Sequence, residues 1–331
     1  ELMNKLVLVI GSNSFAGSNF INFLLNKNCR VLGISRSNEY KELFLRYKTS
    51  KRIKNFKFYK IDLKKDLKKI LSLIKTKKPK YIVNFSAQGM VAESWIRPLD
   101  WYETNLISQT NLVENLKHLK FLKKFIQFST PEVHGNTKSF QKENFNFNPT
   151  TPYANSRASI DFHLRNLFKA YKFPVIFTRT ANIYGPGQQI YRIVPKTILS
   201  AILKKKLPLH GNGRSFRSFI YIDDVSKALF KILFSGKIGE TYHISTNNLV
   251  SIKKLVLIIF KKLGVDQKLF YNVKDRIGKD MSYKLSSNKL RKKFGWKPLV
   301  SLDDGLNETY NWIFKNINFL KKIKKNYKHK K

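Results

Sequence analysis

The chain has 331 residues, 42% of them hydrophobic, enough for one large α/β unit or two unequal lobes and too apolar for a disordered polymer. One cysteine, Cys29, excludes an internal disulfide and suits a reducing, cytoplasmic setting; no run of about 18 apolar residues offers a membrane span. The net charge of +43 is spread over every segment and no zinc spacing or RNP-like motif accompanies it, so compositional bias accounts for it better than a nucleic-acid partner.

Residues 5–10 form an apolar run closed by Gly11. Gly11, Ser14, Phe15 and Gly17 then make a tight turn ahead of apolar positions 20, 21, 23, 24 and 25, which reads as strand, glycine turn, helix. Amides at such a helix start face outward, and the helix dipole favours an anion there. Gly11 permits the turn, and Gly17 lets the helix pack close to the sheet. The Ser14 hydroxyl is small enough to face a phosphate itself. A second strand, Arg30–Ser35, is followed by Arg36, where many NAD-binding folds place an acid for the ribose diol. Arginine pairs with a 2′-phosphate bidentately, so NADP is the expected cofactor and NAD the alternative.

Residues 56–61 alternate as a third strand and lead to Asp62 and Leu63, an acid well placed for an adenine amino group. Residues 67–74 are helical. A fourth strand over 81–85 ends in Ser86, Ala87 and Gln88, small or polar residues that let a dinucleotide approach. Thr104 and Asn105 start a helix over 106–116. Residues 125–128 are a fifth strand, followed by Ser129-Thr130-Pro131-Glu132-Val133-His134-Gly135. The helix after Pro152 carries Tyr153, Arg157 and an apolar face of Ile160, Leu164, Leu167 and Phe168. Val175–Thr180 is the sixth strand. This alternation predicts an α/β fold with a Rossmann-type, doubly wound parallel sheet.

Past Asn182 the texture changes to turn chemistry at 182–187, a helix over 193–203, turns near 207–213 and a strand over 218–222. Asp223 and Asp224 cap a helix, 241–245 reads as a strand, and 252–263 as a helix. The expected division is a dinucleotide-binding domain over 1–181, with 218–246 returning to it. A smaller mixed α/β substrate lobe takes 182–217 and 247–320, and 321–331 is a basic, frayed tail.

A hydroxyl and a carboxylate at a strand tip, Thr130 and Glu132, face a tyrosine with a cation one helical turn behind it, Tyr153 and Arg157. That constellation suits oxidation and reduction of a sugar on a nicotinamide. Together with Asp62-Leu63, 84–88, Thr104-Asn105, Asn182-Ile183-Tyr184-Gly185-Pro186, 217–222, 275–280 and 295–298, it resembles the extended short-chain dehydrogenase/reductase family. The match is to its nucleotide-sugar epimerase/dehydratase branch and is nearest to the dTDP-glucose and GDP-mannose 4,6-dehydratases. Three residues depart from the family pattern: Ser14 for the middle glycine, Arg157 for lysine, and Pro131 for an aspartate.

The resemblance implies a 4,6-dehydratase working by internal hydride transfer on a nucleoside-diphosphate hexose. Thr130, Glu132, Tyr153 and Arg157 are then catalytic. Gly11, Ser14, Phe15, Gly17, Arg36, Asp62, Leu63, Ser86, Ala87, Gln88, Asn105, Tyr153 and Arg157 hold the cofactor. Gln88, Thr130, Glu132, Asn182, Arg192, Arg217 and Arg276 hold the sugar nucleotide, and His210 stands where a ring often stacks on the nucleobase. With Pro131 unable to act as an acid, Glu132 is left to serve as both base and acid. A homodimer is implied, formed through the helices at 106–116 and 159–168, with no metal, membrane or nucleic-acid partner. An epimerase, a UDP-glucuronate decarboxylase and a non-catalytic NADP-binding protein stay open as alternatives.

Overall fold

The fold comes from a computed structural model that describes residues 5–323 together with Tyr327 and His329. Among the described residues twelve strands follow in chain order: β1 Leu6–Ile10, β2 Arg30–Ser35, β3 Phe56–Lys60, β4 Tyr81–Asn84, β5 Lys124–Ser129, β6 Val175–Thr180, β7 Asn182–Tyr184, β8 Leu207–His210, β9 Phe216–Tyr221, β10 Thr241–Ile244, β11 Leu249–Ser251 and β12 Phe270–Val273. Seven of them form a sheet in the order β3-β2-β1-β4-β5-β6-β10, with every pair parallel.

Side-chain alternation along β1 explains why both faces are covered. Val7 and Val9 enter one apolar core, and Leu8 and Ile10 enter the other. The Phe15–Asn26 and Ile222–Ser235 helices pack together on the first face. Ile70, Leu112, Ile160 and Leu164 cover the second. Fully burying each such side chain contributes about 1.5–3 kcal/mol.

The first core continues from the sheet into the C-terminal half, taking in Tyr184, Val194, Leu255, Trp296, Leu306 and Ile313. There β7 pairs parallel and β11 antiparallel with β9, while β8 and β12 make a separate parallel pair. Residues 218–246 therefore divide. β9 belongs to the small sheet, whereas β10 is the seventh strand of the large one. The stretch at 182–187, read from its glycines as turns only, begins with the short strand β7, because its backbone finds β9 as a partner.

Two local departures bear on the site. The helix expected from 106 starts earlier, as a wide π-helical turn over Glu103–Ile107 that runs into Ser108–Leu116. Such turns re-aim side chains and recur at functional positions. Behind the tip of β5, the fully buried Arg179 and Asp161 lie 3.5 Å apart, and the Ser129 hydroxyl donates to Asp161 at 2.7 Å. Among the described residues, no helix is long and apolar enough to cross a membrane.

Candidate active site

The carboxyl ends of β1, β2, β4, β5 and β6 open into one cleft of about 1220 Å³. The chain reverses sheet direction between β2 and β4, on either side of β1, which is where doubly wound sheets bind ligands. The volume exceeds the roughly 300–1,000 Å³ of a single small-molecule pocket, so it has room for a dinucleotide and a second ligand.

At the β1 end the turn is built for close approach. Gly11 has φ +86°, and a Cβ there would lie 2.9 Å from the Phe85 carbonyl carbon and the Ser86 nitrogen. A Cβ on Gly17 would meet the Gly11 carbonyl oxygen at 2.4 Å, so Gly17 lets the helix start fold against the strand without lining the cleft. The Ser14 hydroxyl donates to the Gly11 carbonyl at 2.7 Å and accepts from the Gly17 amide at 3.0 Å. It caps the helix. Ser14 also lines the cleft, so the capping hydroxyl stands at the edge of the space read as the phosphate site. Asn13, Phe15 and Ala16 line the cleft with it, at the positive end of the helix dipole.

Ser35 is turned toward this loop, accepting from the Asn13 amide at 2.9 Å. Arg36 lines the cleft and donates to the Gln88 side chain at 3.2 Å. Asp62 and Leu63 lie at the same end, and Ser86, Ala87 and Gln88 form the floor after β4. Asn105 stands behind that floor instead of in the cleft. Aimed inward by the π-helical turn, it accepts from the Gln88 amide at 2.7 Å and donates to the Gln88 carbonyl at 3.0 Å. It holds the floor and does not touch the space itself. The set fits a bound dinucleotide: a glycine cradle that a Cβ would fill, a helix start and flanking polar groups.

The catalytic candidates meet at the tip of β5. Thr151 caps the Pro152–Tyr171 helix and thereby sets Tyr153 in its first turn. The Thr130 hydroxyl bonds the Tyr153 phenol and also accepts from the Glu132 amide at 3.4 Å. Arg157, one turn further, is buried and donates to the Phe128 carbonyl at 2.5 Å and the Ser86 carbonyl at 3.5 Å. Its charge therefore sits between the tips of β4 and β5.

Burial pushes the Tyr153 phenol above its ordinary value and the Glu132 charge adds to this; Arg157, the Thr130 bond and Arg192 pull the other way. Burial also raises Glu132, against its backbone hydrogen bond and the Arg217 charge. Cation and hydroxyl thus oppose a rise in the phenol and do not abolish it.

On the far side lie Asn182, Arg192, His210, Arg217 and Arg276. Arg217 is largely engaged. It donates to the carbonyls of Phe216 at 2.7 Å, Asp280 at 2.7 Å and Met281 at 3.2 Å, and it stacks on Tyr283 at 4.2 Å. His210 is exposed at the rim, with Nδ1 3.2 Å from the Lys274 carbonyl.

Tyr283 and Asp280 also line this wall and were not singled out from the sequence. The Tyr283 hydroxyl donates to Asn182 Oδ1 at 2.8 Å. For Asp280 the signal was its place at the end of the 275–280 motif; Tyr283, three residues beyond, had none. Part of the 321–331 tail lies outside the described residues. Of the rest, Tyr327 lines the cleft. His329 stacks on Trp101 at 5.1 Å, accepts from Gln88 Nε2 at 2.9 Å and donates to Asp100 at 2.6 Å. Among the described residues, no cluster of His, Cys, Asp and Glu could hold a metal.

The model of the family described as GDP-mannose 4,6 dehydratase matches residues 8–309. The dTDP-D-glucose 4,6-dehydratase of Homo sapiens is 31% identical, covering 97% of this chain and 93% of its own. A dTDP-glucose 4,6-dehydratase structure from Streptomyces venezuelae with NAD bound superposes at a TM-score of 0.88, with 26% identity over 95% of this chain and 98% of that one. A UDP-glucuronic acid 4-epimerase from Bacillus cereus, with UDP-glucuronic acid and NAD, reaches 0.84 at 25% identity over 94% of this chain and 99% of that one.

Proposed function

Because the chain belongs to the GDP-mannose 4,6 dehydratase family, we propose that it is a nucleotide-sugar 4,6-dehydratase converting a nucleoside-diphosphate hexose into its 4-keto-6-deoxy product. One observation carries the choice within the family's chemistry. A partly buried carboxylate, Glu132, stands beside the redox tyrosine, Tyr153. A simple 4-epimerase needs no base at C5, and a dehydratase does.

A nicotinamide held in this cleft would supply the acceptance of hydride from C4 of the sugar and its return to C6. The protein's own groups move the protons. Thr130 orients the sugar O4, and Tyr153 removes its proton. The resulting 4-ketone acidifies C5–H, which Glu132 takes. Gly11, the helix start at Phe15, Asp62, Ser86 and Ala87 hold the dinucleotide. The lobe made of 182–217 and 247–320 holds the sugar nucleotide, with Arg192 and Arg276 available to its diphosphate. The test is incubation with a panel of nucleoside-diphosphate hexoses plus NAD or NADP, read by mass for loss of water. Product isomerised without mass change, or losing carbon dioxide, would overturn the dehydratase reading.

NADP is the proposed cofactor, on the strength of Arg36 beside the floor residue Gln88. Arg36→Ala is expected to weaken NADP binding about tenfold or more while changing NAD binding little, since charge-assisted bonds contribute about 1.5–3 kcal/mol. Titration of the apo-protein with each cofactor checks this. Equal losses for both would show that Arg36 meets no 2′-phosphate.

We also propose a homodimer formed through Ser108–Leu116 and Pro152–Tyr171, on whose flank Ile96, Leu99, Ile107 and Phe162 are exposed. Ile107→Asp is expected to yield monomers in sedimentation. A wild-type protein that sediments as a monomer in high salt would refute the dimer.

A further inference from the structure

Dehydration moves two protons, one off C5 and one onto the departing C6 oxygen. Hydroxide is a poor leaving group, so that oxygen needs an acid. Beside Glu132 the chain offers none, because Pro131 has neither an acidic side chain nor an amide proton. The other carboxylates of the cleft are Asp62, Glu93 and Asp280. Asp62 lies at the end of the cleft read as the adenine site, and its carboxylate accepts from the Lys64 amide at 2.8 Å. Of these three, Asp280 has a charge that bears on Glu132, alongside those of Arg217 and Arg192.

Asp280 reaches the cleft from the opposite lobe and is held there. The side chain of Asn136, just past the catalytic strand tip, accepts from the Met281 amide at 2.5 Å and the Ser282 amide at 3.3 Å. The Thr137 amide donates to the Ser282 carbonyl at 2.9 Å. Thr150, three residues before Tyr153, donates to Asp280 Oδ1 at 2.9 Å. Arg217 grips the Asp280 carbonyl at 2.7 Å. Asp280 is 5% exposed yet lines the cleft.

We propose that Asp280 is the proton donor to the C6 hydroxyl, the acid that the segment around Glu132 lacks. The assignment rests on the dehydratase reading. Glu132 takes the C5 proton, the C5–H electron pair forms the C5–C6 double bond, and the C6–O bond breaks. The oxygen leaves as water with the Asp280 proton. Glu132 later returns its proton to C5, and Asp280 is reprotonated from solvent, balancing the proton that O4 gave to Tyr153. Burial raises the Asp280 carboxyl above its ordinary range, against the Thr150 bond and the Arg217 charge, which favours the protonated acid.

The test uses the full chain with bound cofactor, the hexose nucleotide that wild type dehydrates, and its 6-deoxy-6-fluoro analogue, whose fluoride leaves without a proton. In Asp280→Asn, water loss should fall about 10²–10⁴-fold while reduced-nicotinamide absorbance still appears. Exchange of C5–H with solvent deuterium should continue, because Glu132 is intact. Fluoride release from the analogue should stay within about tenfold of wild type, which also shows that the variant is folded. Asp280→Glu, which keeps the acid, should retain more water loss than Asp280→Asn. Wild-type water loss in Asp280→Asn, or an equal loss of water and fluoride, overturns the assignment. If wild type releases neither water nor fluoride, the dehydratase reading falls and takes this assignment with it.

Discussion

Tyr153→Phe is expected to reduce turnover by about 10²–10⁴-fold, the usual contribution of a positioned general base. The ring remains, so the helix start capped by Thr151 and the cleft wall persist. What is lost is the hydroxyl that Thr130 bonds, the group proposed to take the O4 proton. Because burial and Glu132 raise this phenol, its basic form is scarce at neutral pH. The wild-type rate of C4 oxidation should therefore climb as pH rises toward the phenol's own value. Steady-state turnover across pH, with cofactor affinity measured alongside, checks this. Unchanged turnover, or a rate limb independent of pH in the wild type, would separate the phenol from the chemistry.

Glu132→Gln is expected to stop water loss, by about 10²–10⁴-fold, while C4 oxidation continues and reduced cofactor accumulates. The amide is nearly isosteric but cannot take the C5 proton. Two pH effects follow from the charges. In the wild type, burial holds Glu132 above its ordinary range, and the base works only when ionised. Water loss should thus decline as pH falls through a value higher than that of a free glutamate. In the variant, removing the Glu132 charge takes away one of the causes that raise Tyr153. The limb for C4 oxidation should then move to lower pH. Deuterium incorporation at C5 and cofactor absorbance read the two steps separately. A variant that incorporates deuterium at the wild-type rate would remove Glu132 from the mechanism.

Much of this was legible because the signals are local. The strand Arg30–Ser35 and the strand Val175–Thr180 stand where their apolar runs place them. A run bounded by turn residues carries its own period and its own ends. The glycine turn was read from Gly11 and Gly17, because positive φ and close packing leave few other residue choices. Thr130, Glu132, Tyr153 and Arg157 line one cleft, at a strand tip and in the first turns of the next long helix in sequence.

Other features depend on partners far away in sequence. That Ser14 caps the helix start is seen once its hydroxyl is found between the Gly11 carbonyl and the Gly17 amide. Asn105 is a plausible ligand contact until a π-helical turn aims it at the Gln88 backbone. Asp280 is one acid in a charged loop until Asn136 and Thr150 hold it at the cleft.

By itself, then, the order of residues determined the alternating strands and helices, the glycine turn and the candidate tyrosine at the start of the Pro152–Tyr171 helix. Each rests on periods and turns spanning a few residues. Tertiary structure alone decided which side chains are free to act and which are already bonded. It also decided that an acid from the second lobe faces the first. Hydrogen bonds and burial are set by neighbours in space, and a one-dimensional pattern does not contain them.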